Sequence, residues 1–67
     1  MLPHAEELIE KLKIIDQCQD VEVNDWEANF IESMLSRNKK SPRWTPTPPQ
    51  MAKMAEIIER YQYAARL

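Results

Sequence analysis

Sixty-seven residues suffice for one domain, residues 1–67, but not for a core and a deep catalytic cleft together. A single cysteine (Cys18) and a single histidine (His4) exclude an internal disulfide and a Cys/His zinc site, which needs about four such ligands. The net charge of −2 conceals an asymmetry: Arg37, Lys39, Lys40 and Arg43 place +4 within residues 37–43 and leave −6 on the rest, a distribution that bears on partners rather than on fold.

Glycine is absent while 43% of the residues are hydrophobic, which argues against tight hairpins and phosphate-cradling loops and for helices. No apolar run approaches the ~18 residues of a membrane helix. The N-terminus lacks the basic-then-apolar pattern of a signal peptide. The expectation is an all-α, cytoplasmic protein, a small three-helix bundle with no membrane, metal or cofactor association.

The first helix is expected at about 2–18. Pro3 suits its first turn, and Ala5, Leu8, Ile9, Leu12 and Ile15 fall on one face. Glu7 and Lys11 form an i,i+4 pair in the favourable order. Ile14 lies opposite the apolar stripe, near Cys18, either as an isolated surface residue or as a second contact face. Residues 19–23 read as an extended linker whose Val21 and Val23 close the core.

The second helix is expected at about 25–36. Asn24 and Glu27 form a capping-box pattern at its start. Trp26, Phe30 and Met34 on one side, with Ile31 and Leu35 on the other, span an arc wide enough to touch two neighbours. This predicts a central second helix with Trp26 in the core. Asn38 is the expected left-handed terminator. Residues 37–46 form a proline-containing connection in which Trp44 either plugs the bundle between Leu35 and Met51 or stands exposed as an interface anchor.

The third helix is expected at about 48–65, capped by Thr47 with Pro48 at its first position and Gln50 completing a second capping box. Met51, Met54, Ala55, Ile57, Ile58, Tyr61 and Ala65 form its apolar face, with Ala52, Glu56, Glu59, Arg60 and Tyr63 off it.

Catalysis finds little support. His4 is the only histidine, and the fourteen residues to Cys18 correspond to about 21 Å along a continuous helix. The chain reads as a non-enzyme. A helix-turn-helix is disfavoured as well, because its 3–4-residue turn does not match a connection of about ten residues.

The pattern Asp25-Trp26-Glu27-x-x-Phe30-Ile31-x-Ser33, followed by Trp44-x-Pro46-Thr47-Pro48-x-Gln50, resembles small helical proteins of phages, prophages and mobile elements. In that group a Trp-Glu-x-x-Phe helix precedes a Ser/Thr-x-x-Gln helix start. The resemblance covers residues 24–61, carries over no catalytic residues, and extends to segments of proteins near DNA-processing genes. Pro49 departs from the group, where a Lys or another polar residue is common.

Two functions remain. The first is a binding module acting on another protein, or on itself, with Ile14, Arg43, Trp44 and Tyr63 as contact residues. The alternative is a DNA- or RNA-associated accessory protein in which Arg37, Lys39, Lys40 and Arg43 contact phosphates and Trp44 stacks on a base. Against the alternative stands a plainer origin for the cations: they offset the negative C-terminal end of the second helix.

Overall fold

The computed structural model describes residues 3–67, which form three helices and no strand: α1 (Pro3–Gln17), α2 (Asp25–Lys40) and α3 (Pro48–Tyr61). They assemble into the expected all-α bundle, 30 × 20 × 19 Å across. The expected start of α1 at residue 2 lies outside the described residues. Among the described residues no helix is long and apolar enough to cross a membrane.

The stripe of α1 is buried as its spacing requires: Ala5, Leu8, Ile9, Leu12 and Ile15 all lie in the core. The surface pair Glu7–Lys11 forms at 3.0 Å. Facing this stripe are Ile31 and Met34 of α2 and Met54, Ile57 and Ile58 of α3. Each such side chain, fully buried, contributes about 1.5–3 kcal/mol. That is a large share of the roughly 3–10 kcal/mol expected for a domain of this length. Val21 and Val23 pack half-buried against the same core.

The central helix is α1, not α2 as the sequence pattern implied. It packs closely on both other helices, whereas the α2 and α3 backbones approach each other only sparsely. The reason lies in the orientation of α2. Its inward row is Glu27, Ile31 and Met34, an i, i+4, i+7 set. Trp26 and Phe30 sit one residue back, about 100° around the helix, on a flank where Trp26 is exposed and Phe30 half-buried.

Asn24 caps α2 as expected. Its Oδ1 accepts the Glu27 N–H at 2.7 Å, and its own N–H donates to Glu27 Oε1 at 3.0 Å. The helix continues past Ser36 to Lys40, so Asn38 is helical, and the expected left-handed terminator is corrected. Arg37, Lys39 and Lys40 occupy the last turn, where the helix dipole favours cations. The stop comes from Pro42, which disfavours helix at the preceding Ser41. Ser41 is extended (φ −139°, ψ 94°), while its N–H still bonds to the Arg37 carbonyl at 3.0 Å.

The second capping box forms at α3, between Thr47 and Gln50. Regular α3 ends at Tyr61, four residues before the expected Ala65. The chain then continues in turns and closes as a Schellman motif: Leu67 N–H bonds to the Gln62 carbonyl at 2.9 Å and Arg66 N–H to the Tyr63 carbonyl at 3.1 Å. Arg66 takes the left-handed position (φ 59°) that glycine usually fills. Ala65 is buried as expected, but Ala55 is exposed and Met51 only half-buried.

Candidate functional site

The end of α2 and the turn after it build the most distinctive surface of the molecule. Arg37 and Lys40, three residues apart on α2, project from neighbouring positions on one side. Ser41-Pro42-Arg43-Trp44 then forms a tight turn with proline at its second position, closed by the Trp44 N–H on the Ser41 carbonyl at 2.9 Å. This turn leaves Arg43 in solvent and directs Trp44 back onto the core, where it packs half-buried, with Pro46 buried two residues on. Arg37, Lys40, Ser41, Arg43 and Trp44 thereby line one open hollow of about 370 Å³. Lys39 is exposed and does not line it.

Ion pairing sets these cations, together with Arg66 near the C-terminus, apart from the other four. In the body of the protein, Lys11 pairs with Glu7, Lys13 with Glu10, Lys53 with Glu56, and Arg60 with Glu27 and Glu56. Among the described residues, Arg37, Lys39, Lys40 and Arg43 form no such pair. The helix dipole accounts for the three in α2, but Arg43 lies beyond the helix and has no such structural reason. A second hollow, of about 300 Å³, borders the same end and is lined by Glu6, Ile9, Glu10, Asn38 and Pro42. The basic surface is therefore bounded by an acidic one.

The four residues read from the sequence as protein contacts divide between the two ends of the bundle. Arg43 and Trp44 lie beside the first half of α1, since Pro42 shares a hollow with Ile9. At the other end, Cys18 Sγ donates to the Ala64 carbonyl at 3.7 Å, placing the turn that carries Tyr63 beyond the end of α1. The rise from residue 9 to residue 18 is about 14 Å. Tyr63 (87% exposed) and Ile14 (45% exposed) belong to that far end, so the four residues do not form one surface.

Trp26 departs from expectation most clearly. It is 56% exposed, not core. Its ring stacks on Phe30 with centroids 5.4 Å apart and planes 8° from parallel, and Lys53 Nζ sits 5.3 Å from the ring centroid. The inward position belongs instead to the next residue, Glu27, which is 2% exposed. Its Oε1 accepts from the Tyr61 hydroxyl at 2.5 Å and the Asn24 N–H at 3.0 Å, and its Oε2 from Arg60 Nη1 at 2.6 Å. One carboxylate thus closes the α2 cap and ties α2 to α3 where their backbones stand apart.

Burial pushes the Glu27 carboxyl up, but the Tyr61 hydroxyl, the Asn24 N–H and the Arg60 guanidinium together outweigh it and hold the group below its ordinary value. The Tyr61 hydroxyl is raised, chiefly by its hydrogen bond to Glu27 and then by burial. Sequence reasoning assigned Glu27 only a capping role. The signal for more was present: Glu27 heads the Ile31–Met34 row and so faces inward.

These groups serve structure. The Glu27 oxygens are taken up by partners from Asn24, Arg60 and Tyr61. Among the described residues, no group of three or more His, Cys, Asp or Glu is placed to hold a metal ion. The chain matches no family model, no curated protein and no solved structure.

Proposed function

We propose that this protein is a non-enzymatic module that associates with nucleic acid through the hollow formed by Arg37, Lys40, Ser41, Arg43 and Trp44. One observation carries the reading: three cations without ion-pair partners surround a half-buried tryptophan in one open hollow. Cations on an aromatic floor suit a ligand that combines phosphate with a flat ring. The resemblance to small phage and mobile-element proteins, and a cytoplasmic setting, belong to the same proposal.

The test is charge reversal. Arg37→Glu/Lys40→Glu should abolish binding to a labelled oligonucleotide at low salt, while Lys53→Glu, beside Trp26 at the other end of α2, should weaken it only slightly. Equal losses for the two variants would sink the reading.

A second reading rests on the exposed Tyr63 and Ile14 at the opposite end. There the protein engages a partner protein, or a second copy of itself, through an apolar patch. A monomer by sedimentation at high concentration would remove the self-association form of this reading.

A further inference from the structure

We infer that the ligand of the Arg37–Trp44 hollow is a single strand, anchored by one base stacked on Trp44 with its flanking phosphates on Arg37, Lys40 and Arg43. This inference rests on the nucleic-acid reading above and specifies its ligand.

Three features converge on it. The first is size and lining. An open hollow of about 370 Å³ lined by five residues has the extent of a base with its neighbouring phosphates and is too short to track a duplex. The second is access. A base in a duplex is stacked and paired, so its face reaches an aromatic side chain only after costly extrusion, whereas a single strand offers that face freely. The third is the charge boundary. Glu6 and Glu10 flank the adjoining hollow across Asn38 and Pro42, so a polyanion meets favourable charge over only a few nucleotides. A duplex needs a broader cationic face than this end presents.

The geometry also assigns separate roles. Trp44 is seated on the core and held by the Ser41–Trp44 turn, so the stacking surface is preorganised. Arg43, at the third position of that turn, is the cation nearest to Trp44 in sequence and carries the phosphate beside the stacked base. Lys39, off the hollow, adds only general attraction.

The experiment compares three probes on the full chain carrying Trp26→Phe, which leaves Trp44 as the sole tryptophan: an oligothymidine, an abasic strand of equal length and charge, and a duplex. Affinity is read by anisotropy and stacking by tryptophan quenching. The expected result is quenching by oligothymidine, with binding about 10-fold or more weaker to the abasic strand, as loss of one stacked base implies, and weaker binding to the duplex. Equal affinity for thymidine and abasic strands without quenching, or a preference for duplex, would overturn the single-strand inference while leaving nucleic-acid association intact. No binding by any probe at low salt would overturn both. Because the abasic comparison alters the ligand, a folding defect in a Trp44 variant cannot imitate the result.

Discussion

Removing the Glu27 side chain is expected to destabilise the protein out of proportion to one surface-helix residue. In Glu27→Ala the reciprocal half of the α2 capping box is lost, the Asn24 N–H to Glu27 Oε1 bond, at about 0.5–1 kcal/mol, while Asn24 Oδ1 keeps the N–H of residue 27. The charge-assisted hydrogen bonds to a buried carboxylate are lost with it, worth about 1.5–3 kcal/mol together once the half-exposed Arg60 has returned to water. The sum, about 2–4 kcal/mol, approaches the whole stability of a marginal domain of this length. Glu27→Gln keeps an acceptor for the Tyr61 hydroxyl and the Asn24 N–H but surrenders the charge, so it should cost about half as much. Urea unfolding followed by far-ultraviolet circular dichroism at pH 7 measures both. A loss below about 0.5 kcal/mol in Glu27→Ala would refute the assignment of Glu27 as the tie between α2 and α3. Equal losses in the two variants would refute the role of the shared acceptor.

The same network sets a pH signature. The folded Glu27 pKa is depressed, so its contribution is complete above the ordinary carboxylate value and fades as pH falls through the lowered folded value. The acid limb of stability should therefore flatten in Glu27→Gln. Tyr61 has the opposite sign: its pKa is raised, so its contribution is complete below the ordinary phenol value near 10 and is lost as pH rises through the raised one. Two substitutions probe the remaining corrections. Trp26→Ala should cost about 1 kcal/mol or less by urea unfolding, where a core tryptophan would cost about 3–5. Arg66→Gly should stabilise the protein by about 0.5 kcal/mol, because glycine adopts the left-handed position without the Cβ penalty but gives part of the gain back in chain entropy. An Arg66→Gly variant that lowers the unfolding midpoint would contradict the Schellman closure.

The helices were legible because their starts are written in local chemistry. Asn24 with Glu27, and Thr47 with Gln50, specify caps whose geometry needs no tertiary partner. The stripe of α1 was equally plain. Helix ends were less so, because without glycine the stops depend on Pro42 and on the closure around Arg66. The identity of the central helix was hidden, since Trp26 and Glu27 compete for the inward position and apolarity alone chooses the wrong one. A buried carboxylate wins only because Arg60 and Tyr61 arrive from α3, a meeting that depends on the assembled bundle.

The candidate site was legible in its parts and not in its grouping. Arg37, Lys40, Arg43 and Trp44 are neighbours in sequence, but the hollow exists because α2 extends to Lys40 and a proline turn folds Trp44 onto the core. The separation of Ile14 and Tyr63 from Trp44 follows from chain direction in the bundle, which spacing along one helix does not encode.

The most direct test of the central claim is an amide chemical-shift titration of the labelled protein with a short mixed-sequence single strand at low salt, repeated at physiological salt. The account expects shifts concentrated in residues 37–44, including the Trp44 indole. It expects affinity to fall about 20-fold between 50 and 200 mM salt, as roughly three phosphate contacts to a single strand imply. Shifts confined to the Ile14 and Tyr63 end, or no shifts at low salt, would contradict it.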